Sequence, residues 1–278
     1  MSEQDPELQA FAKFIGAIEP WLDEAVLIGG WAHRLYRLHP LGRKLGYLPL
    51  TTLDGDVAIP PKLKAHETTV RQRLLDAGFK EEFVGEDRPP ATHYHYGKGG
   101  GFYAEFLTPL GGSEYDRSGK RKATTEVGGI SSQLLRYIEI LMISPWKVEL
   151  GKENGYSFSR KLKVQIANPT SFLAQKILIH EEREPRDRAK DLLYIHDTIE
   201  VLSENLGELQ KIFGQEIAPR LHPRKRAKVE GAAERLFGKV ADTIREAAVM
   251  AVGRNLSADR LAETSQAGLK EIFLRRML

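Results

Sequence analysis

The chain has 278 residues, enough for one large domain or two packed ones. Apolar residues make up 41% and charged residues 28%, with a formal net charge of +3. This is the balance of a soluble globular protein; its mildly basic charge fits a polyanionic ligand but does not demand one, since proteins with neutral ligands share it. There is no cysteine, which excludes disulfides, thiolate zinc sites and cysteine nucleophiles and leaves oxygen and imidazole as metal ligands. No apolar run approaches the ~18 residues of a membrane span. The acidic, polar start MSEQDPELQAF lacks a basic-then-apolar leader pattern. The chain is therefore expected in the cytoplasm, without a membrane partner.

In chain order, Pro6 to Trp21 places Leu8, Phe11, Phe14, Ile15 and Ile18 at helical spacing. Ala25 to Ile28 reads as a short buried strand ending at Gly29-Gly30, and Trp31 to Leu38 as a helix. HPLGRKLGYLPLTT reads as a loop. Leu53 to Ile59 is a second strand, and its alternation puts Asp54 and Asp56 on one face. Lys64 to Ala77 reads as a helix closed by Gly78, followed by strands at Phe79–Val84, Thr92–Tyr96 and Phe102–Leu107, with GKGGG as a hairpin-type turn before the last. Leu135 to Ile143 is an apolar, β-branched run ahead of Pro145. Trp146–Leu150 and Leu162–Ile166 are read as a hairpin around GKENG. At Asn168 the pattern turns helical, with Pro169 at an early helix position, and stays so to Leu278 with breaks at Gly207, Gly214, Pro219, Pro223 and Gly253. A mixed domain over 1–167 followed by a helical domain over 168–278 is expected.

Three pieces suggest chemistry. A strand running into Gly29-Gly30 and a helix offers free backbone N–H groups to phosphate, and glycine permits close approach. Asp54 and Asp56, on one strand face, can hold divalent cations between them. Glu105, in the apolar strand FYAEFL, can complete a two-metal site for in-line phosphoryl displacement. Hard oxygen ligands favour Mg²⁺ or Mn²⁺.

GGWAHRLYR, TTLDGDVAI and YAEFLTPL together resemble the DNA polymerase β-type nucleotidyltransferases, and more closely their bacterial abortive-infection and toxin–antitoxin branch. Gly29, Gly30 and Ala32 match the branch's Gly-Gly-x-Ala start, and Thr52, Asp54 and Asp56 its Ser/Thr-x-Asp-x-Asp end. PTSFLAQKILIHEEREPRDRAKDLLYIHDTI looks like its helical segment, which carries over to Lys176, Lys190 and Asp191, with Arg183 and Arg186 as weaker matches. The departures are a longer loop from His39 to Thr51, no arginine just before Thr52, and Gly55 in place of an apolar residue, which is expected to loosen the strand.

The resemblance implies an α+β fold: a mixed-sheet nucleotidyltransferase core with flanking helices, followed by a helical C-terminal domain. It implies an enzyme moving a nucleoside monophosphate from a nucleoside triphosphate such as ATP to a hydroxyl of RNA or protein, with an antitoxin as a further partner. The implied metal ligands are Asp54, Asp56 and Glu105, with Lys176 and Asp191 also catalytic. Gly29, Gly30, Thr52, Lys176 and Lys190 are the implied nucleotide-binding residues. The alternative is an inactive module of the same fold that binds RNA or a partner protein. A metallohydrolase built on His93 and His95 ranks below both, and GKGGG lacks the ending and flanks of a P-loop. Arg220, Arg224, Lys225, Arg226 and Lys228 read as a solvated face or an RNA grip.

Overall fold

The computed structural model describes residues 6–85, 89–97 and 101–274. The chain divides into two compact units. One runs through Leu38 and resumes over Leu50–Ala167; the other joins His39–Pro49 to the residues from Asn168 onward. Among the described residues no helix is long and apolar enough to cross a membrane.

The first unit is built on a nine-stranded mixed sheet. Its strands are β1 (Val26–Leu27), β2 (Asp54–Ala58), β3 (Lys80–Val84), β4 (Ala91–His95), β5 (Tyr103–Pro109), β6 (Thr124–Val127), β7 (Ile130–Leu135), β8 (Trp146–Leu150) and β9 (Leu162–Ile166). The main order is β3-β4-β5-β2-β1-β9-β8, with β7 joining β5 and β6 joining β7. The forecast hairpin around GKENG is present, with Trp146 opposite Ile166 and Leu150 opposite Leu162. Strand β5 is forked on one side: residues 103–104 pair with β4, and residues 107–109 pair with β7.

Helices α1 (Pro6–Ala17), α2 (Gly29–Leu35), α3 (Val70–Asp76) and α4 (Ile138–Leu141) complete this unit. The apolar stripe of α1 supplies Phe11 and Phe14, both fully buried. Phe11 stacks on Trp31 with ring centroids 3.7 Å apart, and Phe14 meets Phe79, Phe102 and Phe106. Truncating such a ring costs roughly 3–5 kcal/mol. Phe106 lies on the sheet face opposite Glu105, so this aromatic core backs the strands that carry the acids.

Helix α3 is shorter than forecast. Thr69 caps it by accepting from the Gln72 N–H. The backbone at Lys64 is engaged elsewhere, its N–H donating to Glu24 and its carbonyl accepting from the Trp21 indole. The 135–143 run yields only the one-turn α4. Residues 98–100 of the GKGGG turn lie outside the described residues.

The second unit contains α5 (Pro169–Ile179), α6 (Pro185–Val201), α7 (Leu206–Ile212), α8 (Pro223–Glu230), α9 (Ala232–Phe237), α10 (Asp242–Met250) and α11 (Ala258–Phe273). Asn168 caps α5 by accepting from the Ser171 N–H at 2.8 Å, with Pro169 in the first turn. Two forecast breaks fall elsewhere: Gly207 lies inside α7 and Gly214 inside a π turn over Phe213–Ile217. Glycine's cost in a helix, about 1 kcal/mol, is outweighed by the packing of Leu206, Leu209, Phe213 and Ile217. Helix α6 is buried from Asp191 to Ile199, and α11 approaches it at Gly268, where a Cβ would stand 2.4 Å from Ile199.

The 39–49 loop is fixed to α6. Arg43 N–H donates to Val201 O at 2.9 Å, and Asn205 donates to Leu41 O at 2.9 Å. The Tyr47 hydroxyl donates to Glu200 at 2.5 Å, and Arg254 stacks on the Tyr47 ring at 3.8 Å while donating to both oxygens of buried Asp197 at 2.7 and 2.8 Å.

Candidate active site

The parallel pairing of β2 and β5 sets Asp54 beside Tyr103 and Asp56 beside Glu105. Paired residues in a ladder point to the same face, so Asp54, Asp56, Tyr103 and Glu105 share one. Their intervening neighbours, Gly55 and Ala104, are buried on the other face, where Phe102 and Phe106 pack. Burial raises the Tyr103 hydroxyl pKa well above its ordinary value, and the negative charges of Asp54, Glu105 and Asp56 push it further the same way. One phenol thus lies in the field of all three acids.

The Gly-Gly turn is fitted to this strand. Gly29 sits at φ +60°, and a Cβ there would stand 2.0 Å from Asp56 Oδ2. A Cβ on Gly30 would stand 2.6 Å from the Thr52 side chain. Thr52, itself buried, donates its hydroxyl to Asp54 Oδ1. Both glycines are therefore required by the Thr-x-Asp-x-Asp stretch itself. Gly55 does not loosen the strand: it is paired with Ala104, and Phe102 fills the space its side chain would take, 2.6 Å from an ideal Cβ.

Gly29→Ala should lower both stability and metal binding. The left-handed conformation costs an L-residue about 1–2 kcal/mol, and the new methyl must displace the Asp56 carboxylate. Thermal melts with and without Mn²⁺ check this: the variant should melt lower and lose the metal-induced rise of the parent.

Glu105 lies at the fork of β5 and receives side chains from both branches. His93 on β4 stands 3.2 Å from Glu105 Oε2, and Gln133 on β7 donates to the same oxygen at 3.0 Å. His93 also stacks on Tyr103 with centroids 4.8 Å apart, and His95 stands 2.6 Å from Glu82. The two histidines thus each face a carboxylate. Among the described residues, the grouping whose ligand atoms all lie within 4.8 Å of one another is His196, Asp197 and Glu200 in the second unit. There the Arg254 guanidinium already neutralises Asp197 and the Tyr47 hydroxyl holds Glu200, so a cation's place is taken by a side chain. Three carboxylates and no sulfur or unengaged imidazole suit Mg²⁺ or Mn²⁺, and the Gly29 cradle that a Cβ would fill fits Asp56 as a ligand.

In the second unit, Lys176 is only 7% exposed and Asp191 1%. The ammonium donates to Asp191 Oδ1 at 2.6 Å and lies 5.5 and 5.3 Å from the ring centroids of Phe172 and Tyr194. Arg183 Nε stands 3.4 Å from Asp191 Oδ2. Lys176 does not snorkel to solvent; it is a buried cation held by a buried acid. Lys190 reaches over Tyr194 at 5.8 Å. Much of the basic run is engaged locally: Arg226 pairs with Glu230, Lys228 with Glu181, and Arg220 caps Glu216 O.

The reading of the sequence did not find Tyr103, Gln133 or the link between His93 and Glu105. Gln133 had a usable signal, because Val127-Gly128-Gly129-Ile130 is a two-residue hairpin turn with φ of 60° and 81° at its glycines. In the comparison with protein families, the model described as nucleotidyltransferase matches residues 7–215. No curated protein and no solved structure matches the chain.

Proposed function

The chain belongs to the nucleotidyltransferase family, and we propose that it moves a nucleoside monophosphate from a nucleoside triphosphate to a hydroxyl acceptor. The observation that carries this reading is the pairing of Asp56 with Glu105 across β2 and β5, with Asp54 on the same face and Gly29 against Asp56. In the reaction the acceptor oxygen attacks the α-phosphorus, the bond from that phosphorus to the bridging oxygen breaks, and pyrophosphate leaves. Asp54, Asp56 and Glu105 would hold Mg²⁺ or Mn²⁺, which supplies charge stabilisation at the attacking and leaving oxygens. Thr52 orients Asp54, and Glu105 accepts the acceptor's proton. The resemblance assigns the β- and γ-phosphates to the turn at Gly29-Gly30 and to Lys176, which Asp191 orients, with Lys190 as a further cation.

The Gly-Gly-x-Ala and Thr-x-Asp-x-Asp stretches support assignment to the abortive-infection and toxin–antitoxin branch. In this reading RNA or protein hydroxyls are the acceptors and an antitoxin is the partner. Incubation with labelled ATP, GTP, CTP or UTP, Mg²⁺ and total cell RNA or protein should label one acceptor class, release pyrophosphate and stop on chelation. Mn²⁺ binding to the acids without transfer from any triphosphate would replace this reading by that of an inactive binding module.

A further inference from the structure

The fork in β5 has a chemical result at Glu105. Strand β4 leaves β5 after Ala104, and β7 joins it at Leu107. Between these points β5 has no strand partner on that side, and side chains take over. Ser132 donates its hydroxyl to Phe106 O at 3.0 Å, and Thr108 and Ser132 share a hydrogen bond at 2.7 Å. On the other face, His93 and Gln133 converge from the two branches on one atom, Glu105 Oε2, at 3.2 and 3.0 Å. The His93 ring is kept in place by its stack on Tyr103. Among the described residues no donor reaches Oε1.

We propose that His93 and Gln133 are positioning residues that commit Glu105 Oε2 to the protein and leave Oε1 as a single, aimed ligand atom for the metal and acceptor side. This rests on Glu105 being the third ligand of the proposed site. Gln133 donates to this oxygen and the His93 ring nitrogen stands against it from the other branch, so the carboxylate's rotation about its last bond is restricted from two sides, whereas one neighbour would leave it free to swing. A carboxylate fixed in this way gives up little conformational freedom on meeting an ion, and partners behind metal ligands typically account for about 10–100-fold in affinity. His93 therefore acts on the ion through Glu105.

The test is Mn²⁺ binding to the whole chain without nucleotide, followed by electron paramagnetic resonance, alongside thermal melts. His93→Ala and Gln133→Ala should each weaken Mn²⁺ binding, and together by about 10–100-fold, with His93→Gln restoring part of the loss because it keeps a polar nitrogen-bearing side chain against Oε2. In a Glu105→Gln background the same substitutions should change Mn²⁺ affinity by less than about twofold, the behaviour of residues that act through one partner. Equal losses with and without Glu105, or undiminished affinity in the double variant, would overturn the inference. Asp56→Asn serves as the control: if it too leaves Mn²⁺ affinity unchanged, the proposed metal site fails. If Asp56→Asn weakens binding and the His93 and Gln133 variants do not, only the positioning role fails.

Discussion

Asp56→Asn is expected to reduce nucleotidyl transfer by more than about 100-fold, since losing a ligand costs at least as much as losing the partners behind it. The protein should melt at the same temperature or higher when no metal is present. The isosteric amide keeps the shape that fills the space beside Gly29, where an ideal Cβ would meet Oδ2 at 2.0 Å. It removes one of the negative charges that share a face with Asp54 and Glu105, and like charges held together destabilise the metal-free fold. Metal reverses the ranking. At a concentration 100 times its dissociation constant, an ion that binds only the folded state adds about 2.7 kcal/mol, so Mg²⁺ or Mn²⁺ should raise the parent's melting temperature and barely move the variant's. Melting curves with and without metal, run beside the transfer assay, give both readouts. Full activity of the variant at ordinary Mg²⁺ would sink the carboxylate site.

The pieces of the site that could be read from the sequence are those with local signals. The alternation of Leu53, Gly55 and Val57 with Asp54 and Asp56 fixes a face, and a lone acid between Ala104 and Phe106 in an apolar strand stands out. What ties these pieces together is not local. That Gly29 must be glycine because of Asp56, and Gly30 because of Thr52, follows from the antiparallel pairing of β1 with β2. The side chains that meet Glu105, Gln133 and His93, depend on the forked strand order, which no window of sequence contains. The β6–β7 hairpin escaped because TTEV and ISSQLL are too polar to register as core strands, although the Gly-Gly turn between them was visible. Likewise the 39–49 stretch has a loop's composition, but the contacts of Tyr47, Glu200 and Arg254 around buried Asp197 make it part of the helical unit.

Lys176→Ala is expected to cost about 3–5 kcal/mol of stability, the range for removing one partner of a buried ion pair. Its ammonium bonds Asp191 Oδ1 at 2.6 Å, and Asp191 is 1% exposed. Without the lysine, the ion-pair partner that carboxylate keeps among the described residues is Arg183, whose Nε stands 3.4 Å away and whose side chain is 38% exposed. The fall in melting temperature should be roughly 6–20 °C at about 2–4 °C per kcal/mol. Lys176→Ala combined with Asp191→Ala should recover part of it, because the buried charge left behind is then gone. The same lysine carries a second expectation. If it faces the β- and γ-phosphates, the alanine variant, assayed below its melting range, should lose about 1.5–3 kcal/mol of triphosphate affinity, the worth of a hydrogen bond to a charged group, and much less for monophosphates. A compact ammonium is a point charge, and its pull grows with the phosphate charge it meets. Titration of parent and variant with ATP, GTP, CTP, UTP and their monophosphates separates the two roles. Equal losses for both classes, alongside the stability cost, would leave Lys176 as the buried counter-ion of Asp191 alone. The positive charge for the triphosphate would then have to come from other cations, with Lys190 the first to substitute.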